Sequence, residues 1–240
     1  MNYGIQLYSV KDYMEKDVKD TLRQIAEMGY TLVEPAGYFG TSAEDFKAYC
    51  EEFGLKVSGS HNHLKDLEGD AFAQTVKYFK TIGCTRFIVA WAPFSTKEEL
   101  DKTIESLNKY EPMLAAEGIE LMYHNHHREF LPNTDGEIAH LEFQRRTKIN
   151  FEIDVYWAYR GLVNPIYILE QLKDRLSSIH LKDGTMEHGT PLGMGTAPIA
   201  EVVAWAKKHD IPMVVENEPT ADRQMIEAKI CIDYLKSLEN

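Results

Sequence analysis

Short apolar runs alternate along the chain with longer segments in which apolar residues recur every three to four positions. The short runs are typical of buried strands, and the longer segments have the period of amphipathic helices. The pattern predicts strands at 3–9, 31–36, 56–61, 85–92, 119–126, 149–155, 176–183 and 211–218. It predicts helices at 16–29, 42–54, 69–83, 96–117, 135–146, 164–174, 198–210 and 222–238. Glycines that follow several of these helices support the bounds, because helices often end at glycine.

Eight strand–helix pairs in 240 residues predict an α/β protein that is a single (β/α)8 TIM barrel. Strands this apolar suit a parallel sheet that is covered by helices. A doubly wound open sheet is the alternative. That fold usually has a glycine-rich phosphate loop after its first strand, and the stretch YSVKDYMEK at 8–16 has none. No linker divides the chain, so one barrel domain is predicted over residues 1–240.

The composition is that of an ordinary soluble protein, with 44% hydrophobic and 27% charged residues. The formal net charge of −12 argues against a general affinity for nucleic acid, which requires clustered Lys and Arg. No apolar run approaches the ~20 residues that cross a bilayer, and the first ten residues lack a signal-peptide pattern. We therefore expect a cytoplasmic protein with no membrane partner. The scattered Cys50, Cys84 and Cys231 are predicted to be reduced and structural.

Polar residues gather where the predicted strands end. In a (β/α)8 barrel, the carboxyl ends of the strands form the face that carries the active site. The polar and aromatic residues at these ends are Glu34, His61, His63, Trp91, His124, Asn125, His126, Glu129, Asp154, Tyr156, Trp157, His180, Lys182, Asp183, Glu216, Asn217 and Glu218. Six of the eight strand ends thus carry metal-ligating or acid/base groups, and the stretch MYHNHHREF at 122–130 is one sector of this ring.

Each of these residues also has an ordinary structural explanation. Asp154 and Glu218, for example, could cap the helices that follow them. The convergence of several charged residues inside apolar runs favours a functional site, because charged side chains are rarely buried unless they are paired or bind a metal. Glu120 and Glu152 lie earlier in their strands and are predicted to be structural. Three histidines in predicted helix or loop are expected to be solvated: His140, His188 and His209.

Asp154, His180 and Glu216 stand at the ends of three successive predicted strands. Mixed carboxylate and imidazole ligands suit Mn2+, Co2+, Zn2+, Fe2+ or Mg2+. Such an ion can hold two substrate oxygens and stabilise an enediolate while a carboxylate moves a proton. Aromatic residues near the ring, including Trp91 and Trp157, either belong to the core or contact the apolar faces of a sugar.

The chain resembles the sugar phosphate isomerase/epimerase superfamily, the xylose isomerase-like barrels that also include endonuclease IV. The motifs that carry this resemblance are GIQLYSV, VEPAGYFG, YHNHHREF, FEIDVYWAYRG, IHLKD, LGMGTAPI and VVENE, which span essentially the whole chain. The combination of YHNH, DVYWA and HLKD resembles a bacterial branch that is similar to inosose dehydratases and to proteins acting on 3-keto sugars.

The resemblance implies a divalent metal held by residues from strands five to eight. Asp154, His180 and Glu216 match three ligand positions, and His124 stands where many epimerases of the superfamily have a glutamate. Glu129, five residues further on, is the alternative fourth ligand. The missing glutamate puts a two-glutamate epimerase mechanism in question, whereas a one-base isomerisation or a dehydration remains reasonable. The resemblance also suggests a homodimer.

We therefore expect a metal-dependent sugar isomerase or epimerase that moves a proton next to the carbonyl of a sugar, keto-sugar or cyclitol. A lyase or dehydratase of the same barrel family is the alternative. Glu216 would be a metal ligand and base, Glu129 or His126 the partner acid, and Lys182 the group that polarises the carbonyl. The predicted substrate-binding residues are Glu34, His61, Trp157 and Trp91.

Two further classes of function are weaker alternatives. An endonuclease IV-like repair enzyme would need a basic surface, which the net charge of −12 opposes. A non-catalytic sugar-binding barrel would be expected to have lost Asp154, His180 or Glu216, and all three are present. The expected partner is thus a small sugar or keto-sugar, and not a nucleic acid.

Overall fold

Parallel strands form the centre of the protein in the computed structural model, which describes residues 2–239. The strands are β1 (Tyr3–Gln6), β2 (Leu32–Glu34), β3 (Lys56–Val57), β4 (Ser60–Asn62), β5 (Arg86–Val89), β6 (Glu120–His124), β7 (Asn150–Asp154), β8 (Leu176–Leu181), β9 (Asp183–Gly184), β10 (Gly189–Thr190) and β11 (Met213–Val215). The main sheet has the order β3-β2-β1-β11-β8-β7-β6-β5-β4, and β9 and β10 form a separate antiparallel pair.

Helices follow the strands and surround the sheet. The α-helices are α1 (Lys11–Met14), α2 (Val18–Met28), α3 (Ala43–Glu52), α4 (Ala71–Ile82), α5 (Lys97–Ala116), α6 (Ala139–Arg146), α7 (Val155–Arg160), α8 (Pro165–Leu172), α9 (Ile199–His209) and α10 (Gln224–Ser237). The predicted (β/α)8 barrel is confirmed, with α1 and α7 as additional short helices.

The third predicted strand, 56–61, is split in the structure into β3 and β4. β3 pairs with β2 and β4 pairs with β5. Ser58 and Gly59 connect β3 to β4, and an isolated parallel bridge between Ala36 and His61 links the two ends of the sheet into a barrel. A Cβ atom on Gly59 would lie 2.6 Å from Cδ1 of Ile88 and 3.2 Å from Oε2 of Glu34. A larger residue here would have to displace Ile88 and crowd Glu34, so glycine suits the point where the sheet closes.

The sixth helix is shorter than the pattern predicts. α6 begins at Ala139 and not near 135, because Pro132 and Ile138 form an isolated β-bridge and Asn133 accepts hydrogen bonds from the backbone N–H groups of Asp135 and Glu137. An asparagine that bonds the backbone in this way stabilises a turn in place of a helix.

The apolar core lies between the helices and the barrel and includes Ile5, Phe87 and Phe151. All three cysteines are free and buried, as predicted. Among residues 2–239, no helix has both the length and the apolar character that crossing a membrane would require.

The prediction that His140 is solvated is wrong. Its side chain is 1% exposed, with its ring centroid 4.5 Å from that of Phe130 and 5.2 Å from that of Phe151. Leu141, the next residue of α6, is 53% exposed, so the helix turns its histidine and not its leucine to the core. Burial, with a smaller contribution from Arg175, lowers the pKa of His140 to about 3.

We expect His140→Leu to make the protein less sensitive to acid. The folded pKa is about 3 and the ordinary value is 6.5, so below pH 6.5 only the unfolded chain gains a proton at His140 and stability falls with decreasing pH. The loss approaches about 1.4 kcal/mol per pH unit, or roughly 2 kcal/mol between pH 7 and pH 5. Urea denaturation of both proteins at the two pH values measures it. His188→Leu, at an exposed position, is the matched control, and an unchanged pH dependence in His140→Leu would contradict the assignment.

Candidate active site

Four neighbouring strands bring the predicted metal ligands together at the carboxyl end of the barrel. β6, β7 and β8 end at or near His124, Asp154 and His180, and Glu216 follows directly after β11. The ladder pairs Asp154 with His180, and the backbone N–H of Glu216 donates to the carbonyl oxygen of Leu181. Residues that are distant in sequence thus become neighbours because parallel strands end at one face of the barrel.

His124, Asp154, His180 and Glu216 each place one potential ligand atom within 4.8 Å of all the others. Nε2 of His124 lies 3.8 Å from Oδ2 of Asp154 and 3.7 Å from Oε2 of Glu216. Nδ1 of His180 lies 2.7 Å from the same Oε2 of Glu216. These four buried residues supply two imidazoles and two carboxylates, and we call them the metal-competent group.

Several atoms of this group have no hydrogen-bond partner. Both ring nitrogens of His124 are buried and unpartnered, and so is Oδ2 of Asp154. The other oxygen of Asp154 accepts from the backbone N–H of Trp157 at 2.8 Å, so Asp154 caps α7 as its structural explanation requires. Unpartnered buried polar atoms are rare in native proteins and need an explanation. A bound cation would supply one.

The protonation state of His124 also fits a divalent cation. Burial, reinforced by the charges of His180 and His61, lowers the pKa of His124 well below its ordinary value, so its imidazole is neutral and has a free lone pair. Burial raises the pKa of Asp154 to about 7, and a bound cation would favour its ionised form instead. Neutral imidazoles and ionised carboxylates are the forms that bind metals. The donor set suits the first-row divalent ions named above.

His180 belongs to a buried ring of two imidazoles and two carboxylates, whose other members are His61, Glu34 and Glu152. Nε2 of His180 is 2.7 Å from Oε1 of Glu34 and 3.1 Å from Oε2 of Glu152. Nε2 of His61 is 2.8 Å from that oxygen of Glu152 and 3.2 Å from that of Glu34. Burial alone would lower the pKa of His180, but Glu152, Glu34 and Glu216 raise it well above the ordinary value. His180 is therefore protonated without a metal, and an ion that binds at its Nδ1 would displace that proton. The ring orients the imidazole so that Nδ1 faces Glu216, as supporting carboxylates do for metal-bound histidines.

The sequence assigns other roles to two glutamates of this ring. Glu34, which is predicted to contact substrate, is completely buried and bonds Gln6 and His180, and its substrate contact stays a prediction. Glu152 is predicted to be simply structural, yet it belongs to a second group of potential ligands with His61, His124 and His180. The signal for Glu152 is its spacing from Asp154, because residues two apart on a strand share one face.

Glu129 lies apart from the metal-competent group. Its Oε1 accepts from the hydroxyl of Tyr123 at 3.3 Å, and its Oε2 accepts from the backbone N–H of His126 at 3.1 Å. Of the two candidates for the fourth ligand, the structure therefore places His124 and not Glu129 in the group. Burial lowers the pKa of His126, but Glu129 outweighs this effect, and the net shift is upward.

Lys182 is a buried cation beside Glu216. Its Nζ lies 3.1 Å from Oε1 of Glu216 and 2.6 Å from Oε1 of Glu218, and 4.6 Å from the centre of the Trp157 ring. Burial would lower the pKa of Lys182, but Glu216, Asp154 and Glu218 raise it, so the amine is charged. A charged donor is thus held next to the candidate ligands, and the role of polarising a substrate carbonyl stays a prediction.

Comparison with known proteins identifies the family. The sequence model of the family described as xylose isomerase-like TIM barrel matches residues 22–238, which is most of the chain. The chain belongs to the xylose isomerase-like TIM barrel family. The predicted resemblance is thereby confirmed.

The relatives of this xylose isomerase-like barrel include enzymes of more than one reaction class. An inosose dehydratase of Mesomycoplasma hyopneumoniae (strain 7448) is 22% identical, over 98% of this chain and 85% of the relative. A sugar phosphate isomerase/epimerase from Parabacteroides distasonis ATCC 8503 is 26% identical, with a TM-score of 0.84 and 98% of each chain covered. A 3-keto-D-glucoside 4-epimerase from E. coli shares the fold at 17% identity, with a TM-score of 0.78 and 99% of each chain covered.

A cavity of about 450 Å3 opens above the metal-competent group of this xylose isomerase-like barrel. We call it the catalytic cavity, and its lining includes Tyr8, His61, Trp91, His124, His126, Glu216 and Glu218. A second cavity of about 270 Å3 adjoins it and shares Trp91 and His126 with it. Of the predicted substrate-binding residues, His61 and Trp91 line the catalytic cavity, and Trp157 lines the second cavity.

Proposed function

We propose that this barrel is a metal-dependent isomerase or epimerase that moves a proton next to the carbonyl of a sugar, keto-sugar or cyclitol. The observation that carries the proposal is the set of unpartnered donor atoms on His124 and Asp154, which face Glu216 at the floor of an open cavity. His124, Asp154, His180 and Glu216 would hold the ion. A divalent ion bound there would supply a Lewis acid that polarises the substrate carbonyl.

Side chains in and beside the cavity supply the remaining chemistry. Lys182, which is buried beside Glu216 and does not itself line the cavity, stays charged and stabilises the negative charge that grows on the substrate oxygen as the proton leaves the neighbouring carbon. Burial opposes the ionisation of Glu216, but Lys182 and His180 outweigh it and hold its pKa well below the ordinary value, so Glu216 is ionised. We assign it the role of proton acceptor because it is the ionised carboxylate that lines the cavity next to the candidate ligands. His126, which is 35% exposed and lines the cavity, returns a proton to the product.

Dehydration of a keto-sugar or cyclitol is the second candidate. The observation that favours it is the position of Glu129, which Tyr123 and the backbone of His126 hold away from the metal-competent group. A two-glutamate epimerase mechanism needs a glutamate on each face of the substrate, and this site lacks one of the two. An elimination needs one base and one acid, and His126 can protonate the departing hydroxyl. The inosose dehydratase relative supports this candidate.

Mass spectrometry of products formed in D2O separates the two reactions. A proton transfer that isomerises or epimerises the substrate removes no water, and in D2O it replaces a carbon-bound hydrogen with deuterium. A dehydration removes one water from the substrate. A product with deuterium and no loss of water would favour the isomerase, and loss of water would favour the dehydratase.

Metal content tests the proposed site before any substrate is known. We expect elemental analysis of the purified protein to find close to one divalent ion per chain, and Asp154→Ala to lose it. Asp154→Asn, which keeps an oxygen to cap α7, separates metal loss from the ~1 kcal/mol cost of losing the cap. Asp174→Ala, at an exposed position, is the control. If neither the wild type nor the control binds metal after soaking with Mn2+, a non-catalytic sugar-binding barrel becomes the better interpretation.

A further inference from the structure

The second cavity lies beside the catalytic cavity, and aromatic side chains dominate its walls. Trp91, Phe94 and Trp157 line it, together with His126 and His127. Trp91 is 53% exposed and lines both cavities, so one indole ring forms the boundary between them. A large exposed aromatic residue at the junction of two cavities indicates a binding surface.

Trp157 is held in place by cations and by neighbouring rings. Nζ of Lys182 lies 4.6 Å and the guanidinium of Arg160 lies 5.2 Å from the centre of its ring. The rings of His126 and His127 lie 5.6 Å and 5.5 Å from it, between centroids. The wall of the second cavity is therefore pre-organised, and it contacts Lys182 of the candidate catalytic group. A rigid wall lowers the entropic cost of binding a ligand.

Polar groups line the second cavity beside its aromatic rings. Its walls include the hydroxyl of Ser95, the half-buried imidazole of His126 and the guanidinium of Arg128. A hydrocarbon ligand would leave these groups without a partner in the cavity. A sugar ring suits both the aromatic faces and these polar groups, because it has apolar C–H faces and a rim of hydroxyls that donate and accept.

A phosphate or another strong anion fits this cavity less well. The only permanently charged cation among its lining residues is Arg128, which is exposed, and the carboxylate of Glu129 stands on the same wall. Burial and the neighbouring Arg160 lower the pKa of His127, so this imidazole adds no charge near neutral pH. Anion sites usually bring several charged donors together.

We infer that the second cavity binds a second sugar ring, joined by a glycosidic bond to the ring that occupies the catalytic cavity. The preferred substrate would then be a disaccharide derivative and not a free monosaccharide. This inference rests on the proposed function, because it assigns the reacting ring to the catalytic cavity.

Isothermal titration of the metal-loaded protein with glucose, cellobiose, maltose and trehalose tests the inference. We expect at least one disaccharide to bind about tenfold or more tightly than glucose, since aromatic contacts of about 0.5–1.5 kcal/mol each from two indole rings convert to that ratio. Equal affinities for glucose and all three disaccharides would overturn the inference while leaving the proposed function intact.

Ser95→Tyr is the decisive variant. Ser95 is exposed and lines only the second cavity, so a tyrosine there fills the space at low risk to folding. We expect it to abolish the preference for the disaccharide and to leave the affinity for glucose unchanged. Ser237→Tyr, on the last turn of α10, is the matched control and should retain the preference. A preference that survives Ser95→Tyr would place the second ring elsewhere and overturn the inference.

Two more measurements separate this inference from the proposed function. Asp154→Asn, which keeps an oxygen to accept from the backbone N–H of Trp157, should bind the disaccharide with its preference over glucose retained, even if it has lost metal and turnover, because the second cavity does not contain Asp154. Glucose 6-phosphate should bind no more tightly than glucose. Tighter binding of the phosphate that Ser95→Tyr removes would indicate an anion site and overturn the sugar assignment. Failure of all these sugars to bind would overturn the inference, whereas the proposed function is tested separately by metal content and by the products formed in D2O.

Discussion

Glu216→Gln is expected to abolish turnover while the fold remains intact. Oε2 of Glu216 lies 2.7 Å from Nδ1 of His180, and its Oε1 lies 3.1 Å from Nζ of Lys182. Glutamine keeps the volume and removes the charge, so it takes away the proposed base and an anionic ligand together. General acid–base catalysis alone contributes about 10²–10⁴-fold, and residues that act as a unit fail together. We therefore expect the rate to fall at least ~10³-fold.

The measurement is kcat on whichever keto-sugar or cyclitol the wild type converts, with circular dichroism and thermal unfolding of the same samples. Glu201→Gln, on the exposed side of α9, is the matched control and should keep full activity. Elemental analysis of Glu216→Gln should show weakened metal binding. Turnover that equals that of the wild type would remove Glu216 from both of its proposed roles, whatever the metal content.

Asp183→Asn is expected to destabilise the protein more than any substitution in the catalytic cavity. Asp183 is 1% exposed, and its carboxylate accepts four backbone hydrogen bonds. Oδ1 binds the N–H groups of Gly184 at 2.7 Å and Ala197 at 3.1 Å, and Oδ2 binds those of Gly193 at 2.9 Å and Gly195 at 3.1 Å. One side chain thus organises the loop that leads from β9 to α9.

The amide nitrogen of asparagine would face two N–H donors and could accept from neither. We expect a loss of roughly 3–5 kcal/mol, in the range measured when one partner of a buried charged network is removed. Gly195 lies so close to Asp183 that a Cβ atom on it would be 2.2 Å from Oδ1. The loop therefore packs directly against this carboxylate and depends on its hydrogen bonds. Urea denaturation measures the effect, with Asp174→Asn at an exposed position as the control. A loss below about 1 kcal/mol would show that the loop does not depend on Asp183.

The comparison of His124 with His140 shows how far sequence reasoning reaches. His124 ends an apolar run, and the fold requires that the ends of parallel strands meet, so its position at the barrel mouth could be predicted. His140 lies in a helix in which Leu141 faces solvent although Phe143 is buried. Which face of this helix turns to the core depends on the packing of His140 against Phe130 and Phe151. Both phenylalanines belong to other elements of the chain.

Glu34, Glu129 and Glu152 show the same limit within the site. Each is a glutamate at or near a strand end, and the sequence cannot tell which of them reaches the cavity. The structure buries Glu34 and Glu152 beneath His180 and ties Glu129 to Tyr123. These differences arise from depth in the barrel and from hydrogen-bond partners supplied by other strands.

The sequence by itself determined the alternation of strands and helices, and from it the barrel and the face on which Asp154, His180 and Glu216 meet. It could do so because side-chain periodicity is local and because a parallel barrel leaves one arrangement for the strand ends. Tertiary structure alone decided which donor atoms are left unpartnered, which carboxylates support His180, and that a second cavity opens beside the first. Those properties depend on distances between atoms of different strands, which no local pattern in the sequence encodes.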